Sequence, residues 1–116
     1  MTDMFSVSCE RRDGAFGVIV LVGEVDIYTA PRFKECMLEL LDGGVERLLV
    51  DLTGVSFIDS TALGVLIGGL RRAHDADGRM ALIVTTSAVE RVLTITGLDR
   101  VFDIHATRAA AEEALA

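Results

Sequence analysis

Val50-Asp51-Leu52-Thr53-Gly54-Val55-Ser56-Phe57-Ile58-Asp59-Ser60-Thr61-Ala62-Leu63-Gly64 is the stretch that decides how the chain folds. It leaves an apolar, strand-like run (Leu48 to Leu52), passes through a short turn and enters a periodic helical pattern. Near-continuous apolarity over Leu48 to Leu52 predicts a strand buried on both faces, as in the middle of a sheet with parallel neighbours. The polar triplet Asp59-Ser60-Thr61 falls where the following helix should begin. Backbone N–H groups at a helix start lack intrahelical acceptors and carry the positive end of the dipole. Hydroxyls placed there are ordinary caps or the target of a phosphate.

On the N-terminal side, Phe5-Ser6-Val7-Ser8-Cys9 alternates apolar and polar residues, the period of a half-exposed strand. Asp13-Gly14 is a turn signal, and Val18 to Val22 reads as a buried strand that pairs with the first as a hairpin. Gly23-Glu24-Val25-Asp26 closes that strand. Thr29-Ala30-Pro31 opens a helix, since threonine caps and proline is tolerated in the first turn. Phe33, Cys36, Met37, Leu40 and Leu41 give that helix its apolar face, and Gly43-Gly44 ends it.

On the C-terminal side a second helix is predicted from about Ser60 to Asp75, with Leu63, Leu66, Ile67, Leu70 and His74 on one face. The opposite stripe carries Thr61, Val65, Gly68 and Arg72. An exposed Val65 and a helix-weakening Gly68 are not explained by folding the helix alone, so this stripe is a candidate docking face. Gly64 is expected to pack tightly against the sheet. Met80 to Val84 is a further buried strand. Ser87-Ala88-Val89-Glu90 fits a capping box ahead of a short helix closed by Gly97. Val101 to Ile104 is a short last strand, and Thr107 to Ala116 a terminal helix.

Strand, strand, helix, then alternating strands and helices define an α/β fold: one domain over residues 1–116, a mixed β-sheet packed against α-helices. The connections Gly23 to Thr29 and Gly54 to Ser60 both lead from strand to helix, so they should lie side by side and carry function. Composition narrows the function further. A net charge of −7 opposes direct binding to nucleic acid or anionic membranes, which requires clustered Lys and Arg. No apolar run is long enough to span a bilayer. Met1-Thr2-Asp3-Met4 shows no basic segment ahead of an apolar one, so a cytoplasmic location without a secretory leader is expected. Cys9 and Cys36 have no metal spacing and read as small core residues. His74 and His105 stand alone. No serine–histidine pair, metal cluster or phosphate-binding glycine loop is legible, so no catalytic residue, metal or cofactor is expected.

The pattern Leu21-Val22-Gly23-Glu24-Val25-Asp26, Val50-Asp51-Leu52 and Phe57-Ile58-Asp59-Ser60-Thr61-Ala62-Leu63-Gly64 resembles the STAS domain. More narrowly, it resembles the stand-alone anti-sigma factor antagonists of bacteria. The similarity continues through Ser87-Ala88-Val89-Glu90-Arg91 and Thr96-Gly97-Leu98. Ala62 departs from the glycine common at its position. The resemblance implies a switch in which the serine after the aspartate, here Ser60, is phosphorylated by an anti-sigma factor that is also a serine kinase. Unphosphorylated, such a protein binds the anti-sigma factor and frees a sigma factor; the phosphorylated form does not bind, and a phosphatase returns it to the unphosphorylated form. Glu24, Asp26, Asp59, Thr61, Val65, Gly68 and Arg72 are the candidate partner-binding residues around Ser60. The alternative implied by the resemblance is a non-catalytic STAS subunit of a signalling or lipid-transport assembly.

Overall fold

The computed structural model describes residues 5–116; residues 1–4, on which the expectation of no leader rests, lie outside the described part. Five strands form one sheet in the order β1-β2-β3-β4-β5: β1 Ser6–Arg12, β2 Phe16–Val25, β3 Arg47–Ile58, β4 Arg79–Ile83 and β5 Asp103–His105. β1 is antiparallel to β2, and the other pairs are parallel. The helices are α1 Ala30–Asp42, α2 Ser60–Asp75, α3 Ser87–Ile95 and α4 Arg108–Leu115, with a single 3₁₀ turn at Leu98–Arg100.

Alternation along the strands assigns the two faces. Ile19, Leu21, Val50, Leu52 and Leu82 join Phe33, Met37, Leu66 and Val89 in the main core beneath α1, α2 and α3. Val18, Leu49, Ala81 and Ile83 point the other way and meet Ala111 and Leu115 of α4. Burial on both faces is why the centres of β2, β3 and β4 read as near-continuous apolar runs. No helix among the described residues is long and apolar enough to cross a membrane.

Several expectations are corrected. β3 does not stop near Leu52: it runs to Ile58, pairing Val22 with Gly54, Gly23 with Val55, Glu24 with Phe57 and Val25 with Ile58. Two register irregularities absorb the extra β3 residues, between Val20 and Val22 and between Gly23 and Glu24 on the β2 side. Gly54 suits the first, because a Cβ there would lie 3.1 Å from a Val22 methyl. The Ser87–Glu90 capping box does not form. Thr86 takes the N-cap position, and its hydroxyl donates instead to the Val55 carbonyl at 3.1 Å, fastening α3 to β3. The last strand is Asp103–His105, two residues later than expected at its start, with Phe102 buried ahead of it. His74 is exposed rather than part of the apolar face of α2. Cys9 is likewise exposed, and it is joined to the buried Cys36 by a disulfide.

Candidate functional site

The β2–β3 pairing brings the two strand-to-helix connections together. Ile58 lies opposite Val25, and the next residue, Asp59, donates its backbone N–H to the Val25 carbonyl at 3.2 Å. Asp59 then caps α2: its carboxylate accepts the Ala62 N–H at 3.1 Å and its carbonyl accepts the Leu63 N–H at 3.0 Å. In the first turn this leaves the N–H groups of Ser60 and Thr61 without intrahelical acceptors. Both side chains are exposed. Ser60 therefore presents a reachable hydroxyl at the positive end of a sixteen-residue helix. Replacing Asp59 with Ala removes the cap and is expected to lower stability by about 1 kcal/mol, read from the urea unfolding midpoint.

Asp26 shapes the neighbouring loop. Its carboxylate accepts the N–H groups of Tyr28 at 2.9 Å and Thr29 at 3.1 Å. The Thr29 hydroxyl donates to the Glu24 carbonyl and accepts the Asp26 N–H, both at 2.9 Å. Thr29 thus holds the N-cap position of α1 but spends its hydroxyl on the loop rather than the helix. The closed turn thrusts Ile27 and Tyr28 into solvent, 60% and 87% exposed, and Phe57 at the end of β3 is 47% exposed. These three apolar side chains stand at the same end of the sheet as the polar junction and were not singled out from the sequence. Their signal was a bulky pair, Ile27-Tyr28, in a connection with neither helical nor strand periodicity.

The structure gathers Glu24, Asp26, Asp59, Ser60 and Thr61 at one end of the sheet. Val65, Gly68 and Arg72 run away from it along α2; at 1.5 Å per residue, Arg72 stands roughly 18 Å along the axis from Ser60. With Thr61 they line a groove of about 330 Å³ between α2 and α1, whose opposite wall carries Lys34, Met37 and Leu38. Val65 is half-buried and packs on the core rather than standing exposed. Gly64 does not pack on the sheet: a Cβ there, or at Gly68, would meet nothing within 4 Å. Gly69 is the packing glycine, since a Cβ would come 2.6 Å from the Met37 side chain. Arg72 is ion-paired with Asp42 of α1 across the groove's far end. Both partners are largely exposed, so the pair contributes little to stability.

Among the described residues there is no cluster of three or more His, Cys, Asp or Glu side chains placed to hold a metal. A second shallow groove of about 370 Å³ lies between the end of β3 and α3, lined by Phe57, Ile58, Ser87, Ala88, Arg91 and Val92.

With this geometry in view, the comparisons are specific. The STAS domain model matches residues 6–111, and the chain belongs to that family. An anti-sigma-B factor antagonist of Listeria monocytogenes is 35% identical over 101 residues, covering 85% of this chain and 87% of the relative. An anti-sigma factor antagonist from Mycobacterium paratuberculosis superposes with a TM-score of 0.87 at 26% identity, over 97% of this chain and 94% of that one. SpoIIAA, an anti-sigma factor antagonist solved in its unphosphorylated form, gives a TM-score of 0.80 over 94% of this chain and 96% of its own. At 21% identity that likeness shows the fold alone.

Proposed function

We propose that this protein is an anti-sigma factor antagonist whose binding is switched by phosphorylation of Ser60. Unphosphorylated, it engages an anti-sigma factor with serine kinase activity and thereby frees a sigma factor. Phosphate on Ser60 blocks that engagement, and a phosphatase reverses the block. The observation that carries the reading is the exposed Ser60 hydroxyl at the capped start of α2, at the end of the sheet where Ile27, Tyr28 and Phe57 are also exposed. Exposed aromatic and aliphatic side chains beside a polar site supply the apolar contact that the centre of a protein interface is built from. The family membership and the name of the Listeria relative support the same reading.

The chemistry of the switch follows from charge. A phosphoserine brings about −1.5 to −2 charges and three acceptor oxygens. The unpartnered N–H groups at the start of α2 tolerate it within the folded chain. Across an interface it meets a different environment, because docking strips water from the phosphate and from the Glu24, Asp26 and Asp59 carboxylates at the same end of the sheet, and their mutual repulsion is then less screened. Added negative bulk then opposes docking without any refolding. Incubation with the candidate kinase and ATP, followed by peptide mapping, should place the phosphate on Ser60; placement on Thr61 or elsewhere would defeat the proposal.

The α1–α2 groove extends the same surface beyond the phosphosite. Gly64 and Gly68 leave its α2 wall bare, which lets a partner side chain reach the helix backbone. Converting Val65 and Gly68 to Gln would fill the groove with polar bulk. Affinity for the anti-sigma factor is expected to fall by about tenfold, or roughly 1.4 kcal/mol, measured by calorimetry on protein with an unchanged circular dichroism spectrum. Unaltered affinity would remove the groove from the interface.

A further inference from the structure

The disulfide between Cys9 and Cys36 joins the edge strand β1 to the middle of α1. Its two ends differ in access. Cys9 is exposed on β1, whereas Cys36 is only 5% exposed beneath the helix. Their Cα atoms are 5.8 Å apart, inside the ordinary range for a bridge. The Cys36 carbonyl lies 3.5 Å from the Cys9 sulfur and is the nearby acceptor its S–H can turn to once the bridge opens and the two sulfurs separate.

We infer that Cys9 is a site of reversible thiol–disulfide exchange with a low-molecular-weight thiol of the glutathione class, and that the bridge clamps α1 to β1. Exchange requires a thiolate to approach one sulfur along the S–S axis, so access selects Cys9. The incoming thiolate bonds to the Cys9 sulfur as the S–S bond breaks, and the electron pair leaves on Cys36, which takes a proton from solvent. A second thiol attacks the mixed disulfide at the small-molecule sulfur, releasing a small-molecule disulfide and the Cys9 thiolate. The net exchange is two small thiols plus the bridge for one small disulfide plus two protein thiols. Oxidation runs the same steps backwards.

The clamp has a structural consequence. β1 is exposed along nearly its whole length, with only Val7 half-buried. Besides its pairing with β2 it is tied to α1 by the bridge and by the Arg11 guanidinium, which donates to the Gly43 carbonyl at 2.5 Å. Just ahead of the strand, Arg32 of α1 lies over the Phe5 ring, 5.1 Å from its centroid. The last two contacts are at the ends of the strand, and the bridge is the central one. The adjoining residue of α1 is Met37, which with Lys34 and Leu38 forms a wall of the groove. Opening the bridge frees that wall, whichever partner occupies the groove.

The test uses the purified full chain without denaturant. It is equilibrated with mixtures of reduced and oxidised glutathione, quenched in acid, and its thiols are counted by alkylation and mass spectrometry. Two thiols at the reducing end, none at the oxidising end, and a glutathione adduct on Cys9 in Cys36→Ala are expected. A bridge that survives the fully reducing mixture, or an adduct that forms on Cys36 in Cys9→Ser while Cys9 stays unmodified in Cys36→Ala, would overturn the site. Hydrogen exchange then reads the clamp. Amides of Ser6–Arg12 and of residues 34–38 should exchange about tenfold faster in the reduced protein, with α2 unchanged. Equal exchange in the two states would overturn the clamp even if the site stands. Cys9→Ser should match the reduced protein, separating loss of the bridge from any effect of the added thiol.

Discussion

Ser60→Asp is expected to weaken binding to the anti-sigma factor by about tenfold or more, and full phosphorylation of Ser60 by about a hundredfold, since like charges brought together at an interface cost several kcal/mol and each 1.4 kcal/mol is a factor of ten. The smaller loss for aspartate follows from its charge of −1 against about −1.5 to −2 for the phosphate, and from its shorter reach. Folding stability should move the other way. Position 60 is the first residue of α2, and a carboxylate in a first turn is favoured by the dipole by roughly 0.3–1 kcal/mol. Ser60→Ala should accept no phosphate, keep its affinity after exposure to kinase and ATP, and stay within about 0.5 kcal/mol of the parent stability, because the hydroxyl is exposed. Titration calorimetry and urea unfolding on the same preparations check both signs. Parent-like affinity for Ser60→Asp together with parent-like affinity after stoichiometric phosphorylation would remove the switch.

Much of the fold was legible because its core strands are buried on both faces. Val18 to Val22 and Met80 to Val84 are apolar without alternation, Leu48 to Leu52 is apolar but for Asp51, and the helix starting at Ser60 begins where its cap predicts. What escaped has identifiable physical causes. The extension of β3 to Ile58 depends on bulged pairing with β2, and Thr53, Gly54 and Ser56 look like a turn until that partner is present. Thr86 displaced Ser87 as the cap because its hydroxyl found the Val55 carbonyl, an acceptor 31 residues away. Cys9 and Cys36 are 27 residues apart, and their pairing follows from α1 crossing over the face of β1, which no spacing encodes. At the site, Asp59 and Ser60 were readable as local helix-start chemistry. Ile27 and Tyr28 were not, because their exposure is imposed by hydrogen bonds to the Asp26 carboxylate. Arg72 was placed on the right side of α2, but its tie to Asp42 required knowing that α1 runs alongside.

Two substitutions two residues apart on α2 should act in opposite directions, and together they separate the folding face from the docking face. Leu66 is fully buried in the main core. Leu66→Ala removes its side-chain carbons from a close-packed interior and leaves a cavity, with an expected cost of ~2–5 kcal/mol. Against a total stability of roughly 5–15 kcal/mol for a domain of this kind, that is a large fraction, and the urea midpoint should fall accordingly. Gly68, by contrast, is an exposed helix-interior glycine whose added Cβ meets nothing within 4 Å. Gly68→Ala should therefore raise stability by about 1 kcal/mol, since alanine loses less backbone freedom on entering a helix and no neighbour has to move. Gly64→Ala should behave in the same way, because its Cβ also enters open space. A natural chain that keeps glycine at two such positions forgoes stability that alanine would supply. Docking of a partner against the helix backbone through the groove, as proposed above, predicts that the double alanine variant folds more stably and binds the anti-sigma factor more weakly. If it gains stability and binds as well as the parent, the bare wall of the groove has no part in recognition. If it loses stability, α2 packs more closely there than the open space around Gly64 and Gly68 allows.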